Sequence, residues 1–170
     1  MQLSKTTLKT PVGDLTAIAS EHGLVALSYL PETACVSAYI QPIYPKPAFG
    51  TKFRQNLDIT RIWLAEYFKS NFEGLIYPAF DLYGNQLAVA AWKKLLSIPS
   101  GKTQSYSELA KTLGKPNAAR AIGRIMSQNP IAILLPCHRV IGANGTLTGY
   151  GGGLERKIWL LRHEGVLGVT

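Results

Sequence analysis

The sequence predicts an α/β (α+β) protein of two subdomains: a small N-terminal antiparallel sheet with a helix, then a mostly helical C-terminal domain containing a helix-turn-helix. Short apolar segments separated by turn residues occupy the first thirty positions, and helix-spaced apolar residues dominate from residue 84 onward. Between them, residues 71–84 contain Asn, Gly and Pro, which is typical of a linker. We therefore place an α/β subdomain at residues 1–80 and a second domain at residues 81–170.

The N-terminal part is typical of strands followed by one helix. Residues 3–10, 15–20 and 24–30 are separated by the turn-like sequences Pro-Val-Gly-Asp and Glu-His-Gly. Three prolines in residues 42–50 predict a loop. Residues 51–70 then repeat apolar residues at helix spacing, which predicts a helix.

Residues 105–128 predict a helix-turn-helix. Ser105 and Glu108 have the spacing of a capping box, and the Gly-Lys-Pro sequence at 114–116 interrupts the helix that follows them. Asn117 is the predicted N-cap of the second helix. A further helical stripe precedes this motif and ends in the Ile-Pro-Ser-Gly sequence at 98–101.

The second helix of this motif combines small residues with arginines. Ala118, Ala119 and Gly123 would let the helix lie close to a nucleic-acid backbone, while Arg120 and Arg124 could reach phosphates or enter a groove. The alternative is an ordinary helical hairpin in which the alanines simply favour helix.

The Pro-Cys-His-Arg sequence at 136–139 follows an apolar run, residues 131–135, that predicts a buried strand. Cys137 therefore lies at a strand end beside a histidine and an arginine, and such neighbours lower a thiol pKa and favour nucleophilic attack. The alternative is that Cys137 is a small buried hydrophobic residue. Cys35 has no basic neighbour, and we expect it to be structural or incidental.

A histidine acting as a general base needs a group that orients its ring. The second half of the chain offers three acids, of which Glu164 ends an amphipathic helix whose apolar face must pack inward. We consider Glu164 the candidate partner of His138; the alternative is a solvated glutamate at a helix end.

The formal net charge is +8 and the second half is the more basic, which favours a nucleic-acid partner. No apolar run reaches the roughly 18 residues of a membrane span, and no secretory signal is evident. We expect a soluble cytoplasmic protein that binds no membrane; in a bacterium or archaeon it would be associated with the nucleoid, and in a eukaryote it would be nuclear. Neither the two cysteines nor the three histidines have metal-ligand spacing, so we predict no metal.

The second half resembles the O6-alkylguanine-DNA alkyltransferase family continuously from about residue 80 to residue 166, whereas the first half resembles it only in outline. The motifs that carry the resemblance are Ser-Tyr at 105–106, Ala-Ala-Arg-Ala-Ile-Gly at 118–123, Asn-Pro at 129–130, Pro-Cys-His-Arg-Val at 136–140, Gly145, Gly-Tyr-Gly-Gly-Gly at 149–153, and residues 157–165.

The resemblance implies a single-turnover DNA-repair protein that moves an alkyl group from O6-alkylguanine to Cys137. His138, through a water, and Glu164 would form the activating relay, and Asn129 would tie the recognition helix to the active-site turn. Tyr106 would rotate a phosphate and donate a hydrogen bond to the flipped guanine. Repair of O4-alkylthymine is also compatible with this chemistry.

The same resemblance implies the DNA-binding and pocket residues. Arg120 would fill the gap in the base stack, and we place Ala118, Ala119, Gly123, Tyr106 and Arg139 with it as DNA-binding residues. The backbone carbonyls of Cys137 and Val140 would read the guanine amino group, and Tyr150 would line the pocket. The partner would be double-stranded DNA carrying alkylated guanine, the protein would act as a monomer, and no cofactor would be required.

Two pocket positions depart from the family pattern. Gly151 stands where a serine is common, which removes a side-chain donor near the alkylated oxygen and puts lesion preference in doubt. Ala132 stands where some members carry proline, and we expect a wider pocket there.

Three alternative functions have requirements that can be compared with the sequence. A non-catalytic alkyltransferase-like protein would bind the lesion but lack the cysteine that is present here. A transcriptional regulator would need a further sensing domain, and a cysteine hydrolase would need an oxyanion hole and would turn over many times.

Overall fold

The structure, a computed structural model, describes residues 2–166 and Gly168. The chain divides into two compact units between Tyr83 and Gly84. The sequence places the domain boundary after residue 80. No helix in the described part of the chain is long and apolar enough to cross a membrane.

A four-stranded sheet forms the centre of the first unit, with strand order β3-β2-β1-β4. The first three strands pair antiparallel, as the apolar segments separated by turn residues predict. They are β1 (Gln2–Leu8), β2 (Leu15–Ala19) and β3 (Leu24–Ser28). Gly13, with φ of 109°, takes a backbone conformation in the first turn that favours glycine. All residues of β2 and β3 are buried.

The predicted loop at residues 42–50 contains the fourth strand, β4 (Ala48–Phe49), which pairs in parallel with the start of β1. Pairing begins after the last proline of the segment, because proline has no N–H to donate to a ladder. Sequence patterns also missed the helical segment before it, α1 (Glu32–Cys35), which continues as a π-helical turn, Val36–Ile40. This segment buries Cys35 and Ile40 against the sheet.

Helix α2 (Arg54–Phe68) confirms the helix predicted over residues 51–70. Its buried side chains recur every three or four positions, so one face of the helix is apolar. They are Leu57, Thr60, Trp63, Leu64 and Tyr67.

Helices dominate the second unit, as predicted. They are α3 (Gln86–Lys94), α4 (Tyr106–Thr112), α5 (Ala119–Ser127) and α6 (Leu154–His163), with a 3-10 turn, Leu95–Ser97, after α3. Two short parallel strands, β5 (Gln104–Ser105) and β6 (Val140–Ile141), join the start of α4 to the segment after Cys137. This pairing brings the helix-turn-helix next to the candidate nucleophile.

The helix-turn-helix prediction holds except at one cap. Ser105 and Glu108 form the predicted capping box at the start of α4, and Gly114 takes φ of 69° after its end. Ala118, not Asn117, is the N-cap of α5, and none of the described side chains caps this helix. The indole N–H of Trp92 in α3 donates to the Ile125 carbonyl of α5 at 3.0 Å and anchors the helix.

The apolar run at residues 131–135 is not a strand, and the prediction was wrong. These residues are buried but form a compact turn, in which Leu135 N donates to Ile131 O at 3.2 Å. Ile133 lies in the left-handed region with φ of 67°, which is rare for a β-branched residue. A run of apolar residues indicates that a segment is buried. It does not indicate the path of the backbone, because that path depends on hydrogen bonds that the order of apolar residues does not reveal.

Candidate active site around Cys137

Cys137 begins a 3-10 turn, Cys137–Arg139, that links the buried turn at 131–135 to β6. The residue is 6% exposed, and burial is the largest influence on its pKa, which is raised above the usual thiol value. A hydrogen bond from Asn129, the charge of Lys157 and the backbone N–H of Cys137 act in the opposite direction. The thiol therefore needs a proton acceptor before it can act as a nucleophile.

The Asn129 side chain connects the end of α5 to the thiol. Its Nδ2 atom donates to Leu135 O at 2.8 Å and to Cys137 Sγ at 3.2 Å, while its Oδ1 atom accepts from Ile131 N at 3.0 Å. All three bonds are buried, so this amide fixes both the buried turn and the sulfur. The geometry fits the linking role that the resemblance implies for Asn129.

His138 and Glu164 form a buried pair. The Nε2 atom of His138 lies 2.7 Å from Oε1 of Glu164, and His138 Nδ1 is buried with no hydrogen-bond partner in the described part of the chain. Burial lowers the pKa of His138, while the hydrogen bond and charge of Glu164 oppose it. A neutral imidazole that donates through Nε2 leaves Nδ1 as an available base.

Glu164 stays ionised inside the unit. Burial alone would raise its pKa, but hydrogen bonds from His138 and Arg139 and the charge of Arg139 outweigh burial and hold the pKa at about 2. Gly101 takes φ of 76°, and a Cβ there would lie 2.9 Å from the Glu164 carbonyl oxygen, so the loop containing Gly101 packs closely against this helix end.

Arg139 faces inward, which contradicts its placement among the DNA-binding residues. It is 5% exposed, and its Nε and Nη2 atoms donate to the two carboxylate oxygens of Glu164 at 2.9 Å each. The guanidinium also donates to the Ile98 carbonyl and to Ser100 Oγ. These hydrogen bonds occupy the donor groups of the guanidinium inside the unit. The role that we assign to Arg139 is therefore to hold Glu164 in place, not to bind DNA.

Tyr106 and Tyr150 lie beside this group. The Tyr106 hydroxyl donates to Thr148 O at 3.4 Å, and burial raises the pKa of the half-buried phenol, which therefore remains a proton donor at neutral pH. The ring of Tyr150 is nearly perpendicular to that of His138, with centroids 6.4 Å apart. A Cβ at Gly123 would lie 3.9 Å from the Tyr106 ring, so α5 approaches Tyr106 with its glycine face.

Helix α5 presents its remaining predicted residues away from the core. Its apolar face buries Ile122, Ile125 and Met126, while Arg120 and Arg124 are exposed. Ala118 and Ala119 are half-buried near the start of the helix. The exposed face therefore has the small and basic residues that close approach to a phosphate backbone requires.

The predicted pocket residues differ in exposure. Val140 is fully buried, Ala132 is 9% exposed, and Gly151 is exposed. The Val140 carbonyl, predicted to read the guanine amino group, accepts from Lys157 Nζ at 2.7 Å. A carbonyl oxygen has two lone pairs, so one remains available for a base.

Sequence reasoning missed one residue of the site, Lys157. Its side chain is fully buried, and Nζ donates to Val140 O and to Thr148 O at 3.0 Å. Burial lowers its pKa to about 8. The available signal was a lysine at a position of α6 where the apolar periodicity demands a buried residue.

In residues 2–166 and 168, no group of three or more His, Cys, Asp or Glu side chains is arranged to hold a metal ion.

Comparison with known proteins identifies relatives along the whole chain. The family model "6-O-methylguanine DNA methyltransferase, DNA binding domain" matches residues 86–166. The methylated-DNA–protein-cysteine methyltransferase of Shigella flexneri is 38% identical over 168 residues, 98% of each chain. Its namesake in Mycobacterium leprae is 57% identical over 84 residues, 49% of this chain and 51% of that protein.

Solved structures of proteins with related names are also similar to this chain. The Mycobacterium tuberculosis protein OGT in complex with DNA has a TM-score of 0.77 and 37% identity, covering 96% of this chain and 92% of that one. The O6-methylguanine methyltransferase of the same organism has a TM-score of 0.75, also with 37% identity, and covers 95% and 92%. The two-subdomain fold predicted from the sequence is thereby confirmed.

Proposed function

The chain belongs to the O6-methylguanine-DNA methyltransferase family, and we propose that it repairs DNA by moving an alkyl group from O6 of a guanine to its own Cys137. The observation that carries the proposal is the surroundings of Cys137. Its sulfur accepts a hydrogen bond from Asn129, and the next residue, His138, has a buried Nδ1 atom with no partner in the described structure. A thiol beside an available base is what nucleophilic attack at carbon requires.

The reaction exchanges one bond for another. The thiol gives up its proton, a bond forms between Sγ and the alkyl carbon, and the bond between that carbon and O6 breaks. The electron pair of the broken bond stays on guanine, which takes up one proton. A thiol and an O6-alkylguanine thus become a thioether and guanine, with atoms and charge balanced.

His138 is the proposed proton acceptor. Its Nε2 atom is directed to Glu164, so the proton of Cys137 would move to Nδ1, through a water molecule as the resemblance implies. The carboxylate would stabilise the imidazolium that forms, as in other buried carboxylate–histidine pairs. Arg139 holds Glu164 in place and keeps it charged.

Tyr106 is the proposed donor to the departing base. Negative charge develops on guanine as the C–O bond breaks, and a hydrogen-bond donor placed there lowers the barrier. The phenol is protonated at neutral pH because burial raises its pKa. Its present acceptor, Thr148 O at 3.4 Å, forms a long hydrogen bond that a base could replace at little cost.

The target base must leave the helix before Cys137 can reach it. Extruding a base costs on the order of a few kcal/mol, and a side chain inserted into the base stack offsets part of this cost. Arg120 is the proposed inserted residue because it is exposed on α5, whose small residues permit close approach to DNA.

The thioether product has no easy route back to a thiol, so each molecule would act once. This stoichiometry separates an alkyltransferase from a cysteine hydrolase, which regenerates its thiol in every cycle. It also gives the proposal a direct test.

The test is the intact mass of the protein after mixing with a duplex that contains one O6-methylguanine. We expect a gain of about 14 Da that stops at one per chain and maps to the peptide containing Cys137. The variant Cys137→Ser should show no gain but should still bind the duplex. A gain on Cys35, or transfer by the serine variant, would reject the mechanism. Tight lesion binding without any mass gain would indicate a recognition protein instead.

A further inference from the structure

Lys157 is a buried cation with no carboxylate partner among the residues that the structure describes. Its side chain is fully excluded from solvent, yet none of the ion pairs found within residues 2–166 and 168 includes it. Two backbone carbonyls, those of Val140 and Thr148, accept from Nζ. Carbonyl dipoles satisfy its N–H groups but do not neutralise a full positive charge, and a buried charge is costly unless it is compensated.

The other charged groups near Cys137 already compensate each other. Glu164 is paired with Arg139 and hydrogen-bonded to His138, whose imidazole is neutral, and the Tyr106 phenol is neutral as well. The positive charge of Lys157 acts on the thiol and lowers the pKa of Cys137. The charge of the Cys137 thiolate in turn raises the pKa of Lys157. The Lys157 ammonium also lies 5.9 Å from the centre of the Tyr106 ring.

We infer that Lys157 is a positioning residue whose ammonium is the counter-charge of the Cys137 thiolate, and whose two carbonyl contacts hold the segments containing Val140 and Thr148 around it. The inference rests on the proposed function, in which Cys137 must become a thiolate. When the thiol proton moves to His138, the new imidazolium lies against Glu164 and the new thiolate lies in the field of Lys157. Each charge created in that step therefore has an opposite charge nearby.

The same pair of carbonyls joins Lys157 to the base pocket. The carbonyl of Val140 is the predicted reader of the guanine amino group, and the carbonyl of Thr148 is the present acceptor of the Tyr106 hydroxyl. One ammonium thus connects the sulfur, the proposed proton donor and a pocket wall. Because burial lowers the pKa of Lys157 only to about 8, the ammonium is still mostly charged at pH 7.

The test compares thiol reactivity in Lys157→Met and in the wild-type protein, without DNA. The rate of Cys137 carbamidomethylation by iodoacetamide would be followed from pH 6 to 10, and peptide mapping would separate Cys137 from Cys35. We expect the apparent thiol pKa to rise by about one unit or more in Lys157→Met, which makes the reaction about tenfold slower at pH 7. The rate at the alkaline limit should be retained.

The matched control is Lys93→Met, which removes the same charge from an exposed position in the same unit. Its pH profile should equal that of the wild type. A folded Lys157→Met protein with an unchanged profile, or with a rate reduced equally at every pH, would overturn the inference. The iodoacetamide assay needs neither alkylated guanine nor DNA, so its result is independent of the mass test of the proposed function. The Lys157 inference can fail while methyl transfer to Cys137 is observed, and it can hold while no methyl transfer is observed.

Two further variants keep the test decisive if Lys157→Met does not fold, which circular dichroism would reveal. Lys157→Gln is neutral but keeps an N–H donor for one carbonyl, and it should shift the profile like Met. Lys157→Arg keeps the charge and should leave the apparent thiol pKa near the wild-type value. An arginine variant with a shift as large as that of a neutral variant would show that charge is not what matters.

Discussion

The Nε2 atom of His138 lies 2.7 Å from Oε1 of Glu164, and both side chains are fully excluded from solvent. Arg139 donates to both oxygens of the same carboxylate, so Glu164 is held by a cation on one side and an imidazole on the other. This arrangement orients the ring and leaves Nδ1 without a partner in the described structure. The pair therefore links the stability of the unit to the chemistry of Cys137.

Replacing Glu164 by glutamine should reduce both stability and repair. The amide can still accept from His138, but the buried guanidinium of Arg139 loses its counter-charge, which costs about 3 kcal/mol or more. Single-turnover methyl transfer at pH 7 should fall by about a hundredfold, because the imidazolium is no longer stabilised. Urea unfolding and quenched-flow transfer assays would measure the two effects.

The control for that variant is Glu155→Gln, which removes an exposed carboxylate from the same helix. It should change the free energy of unfolding by no more than about 0.5 kcal/mol. A Glu164→Gln protein that matched this control in stability and rate would show that the buried pair has no role.

The same carboxylate predicts how stability depends on pH. The pKa of Glu164 is about 2 in the folded protein, against a usual value of 4.5, so folding is favoured when the group is ionised. Its contribution is fully present above pH 4.5 and is lost as the pH falls toward 2. We expect the free energy of unfolding to drop by up to about 3 kcal/mol over this window, at about 1.4 kcal/mol per unit of pKa shift.

Urea denaturation at several pH values between 5 and 2 would measure this loss. Glu164→Gln has no ionisable group at the position and should show a correspondingly smaller decrease. Parallel curves for the two proteins would contradict the assignment of the low pKa to Glu164.

Sequence patterns predicted the elements whose signals are local. Turn residues separate the N-terminal strands, and the capping box of α4 lies within four consecutive positions. The strands and the capping box were therefore predicted, and both are observed. The turn at residues 131–135 was misread as a strand because its apolar residues report only burial. Its geometry depends on the Asn129 side chain and on the left-handed conformation of Ile133, which no periodicity encodes.

The residue types of the site and one of its contacts could be predicted from the sequence, but its other contacts could not. Cys137 and His138 are adjacent in sequence, and a reactive thiol could be inferred from that adjacency. The sequence named Glu164, 26 positions away, as the candidate partner of His138, and the structure brings the two side chains together. It did not indicate that the Arg139 guanidinium turns inward to the same acid or that Lys157 lies at the site.

Asn129→Asp should slow transfer through the charge that it introduces. The carboxylate can still accept from Ile131 N, but it cannot donate to Leu135 O or to Cys137 Sγ. A negative charge beside the sulfur should raise the thiol pKa further and slow methyl transfer at pH 7 at least about tenfold. The deficit should shrink as the pH rises toward 10.

The lost donor to the Leu135 carbonyl should also lower the free energy of unfolding by about 1–3 kcal/mol. Asn144→Asp is the matched control, because Asn144 is exposed in the same unit and its side chain acts as an acceptor for Thr146. Transfer rates measured from pH 6 to 10 would test the prediction, and a deficit independent of pH would argue against a charge effect.

Arg120→Ala should separate base extrusion from alkyl transfer. If Arg120 fills the gap left by the flipped base, its loss removes on the order of 1–2 kcal/mol of compensation, or about tenfold in rate on duplex DNA. The rate with free O6-benzylguanine, which needs no extrusion, should change by less than about twofold. Arg124→Ala, which removes another exposed arginine of α5, is the control and should weaken duplex binding without the same loss at saturating DNA. Equal losses on duplex and free base would exclude the role of Arg120 in the base stack.

Gly151→Ser should restore a donor that the resemblance associates with the alkylated oxygen. Among the described residues, a Cβ at Gly151 would meet only the Ser127 carbonyl oxygen, at an ordinary contact distance of 3.8 Å, so a Cβ fits there without displacing these neighbours. Stability should therefore change by less than about 0.5 kcal/mol. A hydroxyl near O6 would stabilise the charge that develops there, and we expect methyl transfer to become up to about tenfold faster.

Gly151→Ala adds the same Cβ without the hydroxyl and should not accelerate the reaction. If alanine and serine had equal effects, the hydroxyl would be irrelevant, and the glycine would affect only the shape of the pocket. Competition between O6-methylguanine and bulkier O6-alkylguanines in single-turnover assays would then separate shape from hydrogen bonding, because a change in shape alters the selectivity between them while a donor raises both rates.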